Sequence, residues 1–312
     1  MAQQQKHVVT LAVFFGLLFV SFAEGAVIWP APTALTTVNS SASEVGPSLS
    51  PDGQTLYFSS ARSGIHIWQS TGSGDTWNAP TLVPGVNSSG NDQHPSISRD
   101  GTTLFFCSDG WGGSGGYDLF YSTWTGSTWG TPVNMGPTVN SGSSEYFPQL
   151  SPDGLTLYFS SDRSGGVGSF DLYQCTRPDT SSPWSAPTSA PFALINSSSP
   201  DFHPTVSLDG QVLYYWYHGS PIRVHRSEWD SVNSRWDTPT TLMIEGTTLS
   251  QGTAFFTAEY MGSYLYFGQY VSGQGWELYV SQMPVPEPSS LALLGIGLVG
   301  LACCALKGRK NR

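Results

Sequence analysis

The stretch PQLSPDGLTLYFS, Pro148 to Ser160, decides the fold. Its Asp153-Gly154 pair accepts the left-handed conformations that a tight hairpin requires. Short apolar runs flank the pair and read as two antiparallel strands. The same pattern stands at PSLSPDGQTLYFS (Pro47 to Ser59), PSISRDGTTLFFC (Pro95 to Cys107) and PTVSLDGQVLYYW (Pro204 to Trp216). The turn residues Asp52, Asp100, Asp153 and Asp209 lie 48, 53 and 56 positions apart. A period near 50 residues predicts a propeller or a linear array.

Each unit carries two further strand signals. A Gly/Ser loop leads to a third strand, as at Asp118–Ser122 and Asp171–Gln174. A second turn then ends on Trp with Pro three residues later, at Trp77, Trp129, Trp184 and Trp236. Four antiparallel strands per unit make a propeller blade. A fifth, degenerate unit spans Gly252–Thr257, Tyr264–Gly268 and Glu277–Ser281, with Glu259-Tyr-Met-Gly in place of the Asp-Gly turn. It has no Trp-x-x-Pro strand, whereas the N-terminus has one in isolation at Trp29. Val38-Asn39-Ser40 follows Trp29 as Val86-Asn87-Ser88 follows Trp77. The reading is therefore all-β: a five-bladed propeller over residues 26–283, with residues 27–38 pairing onto Glu277–Ser281. That closure removes the open edge an incomplete blade would expose.

The repeats resemble the PD40, or TolB-like, subclass of WD40-like propellers. The resemblance rests on the Ser-Pro-Asp-Gly turns, on Leu-Tyr-Phe-Ser-Ser, and on Ser161-Asp-Arg-Ser-Gly165 ahead of Asp171-Leu-Tyr173. It covers most of residues 44–282, implies the fold, and points to interaction more than to catalysis. Fold alone carries no activity.

Composition agrees with such a body. Charged residues are only 11% and aromatics 13%, which excludes a disordered chain. The net charge is −10, and the three lysines, Lys6, Lys307 and Lys310, all lie near the ends. Residues 26–283 keep seven arginines against twenty acids, so nucleic acid and anionic lipid surfaces are excluded as partners of this part.

The ends read as targeting segments. Residues 1–25 have a signal peptide's form: Lys6 and His7, an apolar Val8–Phe22, then small residues at Ser21, Ala23, Gly25 and Ala26. At the other end an apolar run, Leu291 to Leu306, precedes Lys307, Arg309, Lys310 and Arg312. That order predicts a C-terminal transmembrane helix with a cytoplasmic basic tail. Residues 284–312, with Pro286-Glu287-Pro288 ahead of the span, resemble the PEP-CTERM sorting signal of bacterial exported proteins. The resemblance implies processing by an exosortase near Pro286, Glu287 and Pro288, and an association with exopolysaccharide. The expected location is a membrane-anchored precursor, then the cell surface, extracellular matrix or outer envelope.

Candidate chemistry sits at one end of the repeat. Three residues before each strand-opening Pro stands an acid: Glu44, Asp92, Glu145 and Asp201, with Gln251 in the fifth unit. First strands line a propeller's channel, so these acids are expected in a ring at one mouth. Loops on that face bring Arg62, Asp109, Trp111, Tyr117, Asp162 and Arg163. Asp92-x-His94 and Asp201-x-His203 form repeated Asp/His pairs.

Three readings follow from that ring. As a cation site it would take Ca²⁺ on carboxylates, or a transition metal on Asp92, His94, Asp201 and His203. As a hydrolase it would need two opposed carboxylates, about 5–5.5 Å or about 6.5–9.5 Å apart, from Glu44, Asp92, Glu145 and Asp201. In the third, each acid pairs with a loop arginine or caps backbone N–H groups, repeating because the blade repeats. Equivalent repeat positions speak for the third, since a catalytic acid and base need unlike environments.

Exposed aromatic rings suit carbohydrate stacking. Trp111, in the Gly-rich loop Asp109–Gly116, is the leading candidate, with Tyr117, Asp109, Arg163, His94 and His203 as further ligand contacts. His218 and Arg223 flank the matching loop of the fourth unit. The four repeated tryptophans are expected between blades. The segment Ser70–Trp77 is similar to a sialidase Asp-box, with Gly72 where Asp belongs, and reads as a hairpin. Cys107 and Cys175 are expected as free buried thiols. The function expected is a binding or scaffold module for polysaccharide or envelope protein. A carbohydrate-active hydrolase and a structural envelope protein without a ligand are the alternatives.

Overall fold

The computed structural model describes residues 32–282, apart from 208, 220–222, 242–253, 262–263 and 272. The readings on residues 1–25, Trp29, Gln251, Pro286, Glu287, Pro288 and Leu291–Leu306 lie outside the described residues, as does the Arg223 side chain.

Five antiparallel sheets form five blades. The first strands are Glu44–Leu49, Asp92–Ile97, Glu145–Leu150, Asp201–Val206 and Ala254–Met261. Each packs against the first strands of both neighbouring blades, so the five close a ring around the axis. Thr33–Ala34 pairs antiparallel with Gly275–Gln282, Thr33 opposite Val280 and Ala34 opposite Tyr279. The N-terminal strand thus completes blade 5, as the isolated Trp-x-x-Pro motif predicts.

Turn chemistry explains the hairpins. In blade 1 the Ser50 hydroxyl donates to Asp52 Oδ1 at 2.5 Å and accepts from the Thr55 N–H at 2.8 Å. Gly53 follows at φ +70°, a conformation costly for any residue with a Cβ. Ser98–Asp100, Ser151–Asp153 and Ser207–Asp209 repeat the bond. In blade 5, Glu259 and Met261 belong to the first strand, opposite Tyr266 and Tyr264. The turn expected to start at Glu259 is therefore not there: residues 259–261 are strand, and 262–263 lie outside the described residues.

The fourth strands are short, two residues at Thr81–Leu82, Val133–Asn134 and Thr240–Thr241. Blade 3 keeps a three-stranded sheet and a single bridge, Gln174 to Thr188. Proline at positions 80, 132, 187 and 239 supplies no N–H, which cuts the outer ladder short.

Apolar clusters lie between blades. Phe58, Phe106 and Phe159 in the second strands are fully buried, each worth about 1.5–3 kcal/mol of burial. Trp77 meets Tyr266 of blade 5 edge-on at 5.9 Å, Trp129 meets Tyr57 at 6.2 Å, and Trp236 meets Tyr158 at 6.4 Å. Cys107 and Cys175 are buried free thiols, and burial pushes the Cys175 thiol up to about 12.

Candidate functional site at the channel mouth

Glu44, Asp92, Glu145 and Asp201 open the four first strands at one end of the ring, and all four are wholly buried. Glu145 Oε1 accepts from the Ser141 hydroxyl at 2.6 Å, the Ser161 hydroxyl at 3.0 Å and Arg163 Nη2 at 2.9 Å. Glu44 repeats this set with Ser40, Ser60 and Arg62. Asp92 accepts from the Ser88 N–H at 2.6 Å and the Ser108 hydroxyl at 2.7 Å, with His66 Nδ1 at 3.5 Å. These are internal ion pairs and caps, with Arg163 also lying over the Phe159 and Tyr173 rings.

Asp201 breaks the pattern. It accepts from the Ser197 N–H at 2.8 Å and hydroxyl at 3.0 Å, while its buried Oδ1 receives no hydrogen bond. Tyr217 stands where the other blades carry Ser60, Ser108 and Ser161, and Gly219 where blades 1 and 3 carry arginine. Burial pushes the carboxyl up to about 7, against the lowering effect of Ser197.

The position two after each acid points elsewhere. Gly46, His94, Phe147 and His203 all have positive φ, between +53° and +63°. A register shift lies there in each first strand, between Val45/Ser48, Gln93/Ser96, Tyr146/Gln149 and Phe202/Thr205. Such a bulge re-aims a side chain. Here the rings meet one another: His94 to His203 at 5.0 Å, His94 to Phe147 at 4.0 Å and Phe147 to His203 at 3.4 Å between centroids. They come from the first strands of three blades, so they fill the centre of the ring. Gly46 completes the fit, because a Cβ there would stand 3.0 Å from His94 Nδ1. Burial lowers His94 to about 3 and holds His203 well below its ordinary value. Among the described residues no three His, Cys, Asp or Glu side chains converge as a metal site, and nothing indicates a cofactor.

Around this plug runs an arc of rings, half-buried except for the buried Trp216. Tyr117 contacts Tyr146 at 4.6 Å, Tyr146 contacts Phe170 at 5.8 Å, and Phe170 contacts Phe202 at 4.8 Å. Phe202 continues to Trp216 at 5.6 Å, which stacks on the exposed His218 at 5.0 Å and meets Trp276 at 6.4 Å. The arc crosses blades 2 to 5. At the blade 1 and 2 side its places are taken by Val45 and Gln93. Asp109 accepts from the Asn91 N–H and side chain at 2.6 and 2.9 Å and edges the arc. Burial, then the Asp109 charge, pushes the Tyr117 phenol up to about 12.

The residues expected here separate into four groups. Tyr117 belongs to the arc. His94 and His203 form the plug with Phe147, while the acids are wholly buried and Arg163 pairs with Glu145 in its own blade. Trp111 packs on the cluster between blades 1 and 2 and donates its indole N–H to Val86 O at 3.1 Å. Tyr146, Phe170, Phe202 and Trp276 escaped the sequence reading. Their signal was position: Tyr146 and Phe202 directly follow the acids, and Phe170 occupies Tyr117's place in the next blade.

The fold and mouth define a closed five-bladed β-propeller. Residues 284–310 match the PEP-CTERM protein-sorting motif, which marks an exported protein that is membrane-anchored before an exosortase processes it. No curated protein matches the sequence. Among solved structures, TolB from Acinetobacter baumannii is 16% identical over 79% of this chain, with a TM-score of 0.43; the match spans 56% of that chain. The alpha-L-arabinofuranosidase PaAbf62A from Podospora anserina, solved with cellotriose, is 13% identical over 84% of this chain and 96% of its own, with a TM-score of 0.51. A thermostable family-43 glycoside hydrolase is 8% identical over 82% and 94%, also at 0.51. At these identities the likeness is one of fold.

Proposed function

We propose that this exported propeller is a binding or scaffold module that holds polysaccharide on its channel-mouth face. Residues 1–25 act as its signal peptide, 26–283 as the propeller and 284–312 as the sorting segment. The arc from Tyr117 to Trp276 carries the reading. A run of mostly half-buried rings with a polar edge offers apolar area to sugar faces and acceptors to their hydroxyls. Rigid strands hold the rings, so little entropy is lost on binding. Envelope protein is the other partner class that such a face suits.

One observation favours a hydrolase instead. Asp201 departs from its three counterparts and stays protonated up to about pH 7, as a general acid must. Against it, all four acids are wholly buried, and a glycosidic bond must lie between two of them.

Thermal unfolding of the purified chain tests the binding reading. Exopolysaccharide from the producing organism is expected to raise the midpoint, by about 2.7 kcal/mol of stability at a hundredfold excess over Kd. Ca²⁺ and EDTA are expected to leave it unchanged. No shift with the polysaccharide contradicts the reading.

A further inference from the structure

A cleft of about 890 Å³ opens between blades 2 and 3 on the face opposite the mouth, beside the Asp-Gly turns. The matching groove between blades 3 and 4 measures about 350 Å³. The loop before Trp184 sets the larger cleft apart. In blades 1, 2 and 4 the repeated tryptophan packs onto the aromatic residue of the preceding blade. In blade 3, Trp184 still packs on the cluster between blades 2 and 3 but is only half-buried, with the Arg177 guanidinium 4.3 Å over its ring and, among the described residues, no ring contact to the preceding blade's aromatic residue. Its expected partner, Phe105, lies at the cleft wall, tilted against Tyr121 at 6.1 Å.

Sequence explains the departure. Trp124 and Trp229 stack edge-on against Trp129 and Trp236 of their own blades, at 5.3 and 5.1 Å. The equivalent of Trp229 in blade 3 is Arg177, and Pro178 and Pro183 bracket the loop before Trp184. Two missing N–H groups prevent the short ladder that Trp229–Trp236 makes in blade 4. Arg177 instead donates to Gly154 O and Thr180 O, both at 2.9 Å, which fixes the loop open.

The lining chemistry is mixed and balanced. Trp184 and Tyr121 give aromatic surface, Thr102, Thr123 and Thr138 give hydroxyls, and Arg99 and Arg177 are matched by Asp100 and Asp153. A charged ligand finds no excess of opposite charge there, while a hydroxylated neutral one finds rings and both donors and acceptors. The volume lies within the about 300–1,000 Å³ typical of small-ligand sites.

We propose that this cleft is a second binding site, for a short neutral glycan segment set against the Trp184 and Tyr121 side chains that line it and hydrogen-bonded by Arg177 and the threonine hydroxyls. It stands independently of the mouth reading. With both faces occupied, one molecule joins two chains.

Calorimetric titration of the purified full-length chain with cellotriose, a uronate-containing trisaccharide and a neutral tripeptide tests it. Saturable binding of cellotriose is expected, weakened at least about tenfold by Trp184→Ala. Thr138→Trp, which fills the cleft from an exposed position, is expected to do the same with an unchanged melting temperature. Tyr146→Ala at the mouth should leave this binding intact. Failure to bind cellotriose, preference for the uronate or the peptide, or indifference to both cleft variants would overturn the proposal. Loss through Tyr146→Ala alone would assign the sugar to the mouth and overturn it equally.

Discussion

At the residue scale, the interior of this protein titrates in two opposing directions. His94 and His203 are neutral in the fold and bind protons once unfolded, so their contribution is complete above about pH 6.5 and is lost as pH falls. Asp201 does the reverse. Its raised pKa stabilises the fold below about 4, and that contribution is lost as pH climbs to about 7. Each proton changes stability by about 1.4 kcal/mol per pH unit, so two histidines outweigh one aspartate below 6.5. Stability is expected to peak near pH 6.5. Denaturant titrations across pH 4–8 check this, and His94→Phe should flatten the acid limb. A second prediction contrasts the acids. At pH 8, Asp201→Asn should be near neutral, since it removes a charge without a cation partner. Glu145→Gln should cost about 1–3 kcal/mol, because it leaves the partly exposed Arg163 without its carboxylate. Equal losses for the two would contradict the pairing.

At the element scale, the blades are sewn together by a motif outside the ladders. Asn87 accepts from the Ile67 N–H at 2.7 Å and donates to Ile67 O at 3.0 Å, copying a strand neighbour. Asn140 does this on Leu119, Asn196 on Leu172 and Asn39 on Leu278. The serine that follows each then caps the acid four residues on. Asn140→Ala should therefore destabilise by about 1–3 kcal/mol, the cost of orphaned buried peptide groups, read by chemical denaturation. Repeat elements of this kind were legible because Asp-Gly, Leu-Tyr-Phe and Val-Asn-Ser each answer a local backbone need. The plug and the arc were not. A bulge with positive φ leaves no mark on a histidine or phenylalanine, and Phe147 hides the pattern that His94 and His203 suggest. Trp184 looks like Trp77, Trp129 and Trp236 in sequence, yet Arg177 and two prolines decide its place.

At the scale of the whole molecule, closure and the mouth face carry the account. Leu35 and Val38 are buried against Leu49, Leu56 and Tyr266, so the N-terminal strand joins blades 5 and 1. Removing residues 26–39 should lower the melting temperature by at least about 10 °C or prevent folding, whereas an unchanged melt would contradict ring closure. The mouth claim is tested most directly by titrating exopolysaccharide into the wild-type chain and into Tyr146→Ala/Phe202→Ala, with released reducing ends measured alongside. The account predicts saturable binding by the wild type, a loss of at least about tenfold in the double variant, and no released ends. Undiminished binding by the variant, or steady release of reducing ends that Asp201→Asn abolishes, would contradict it.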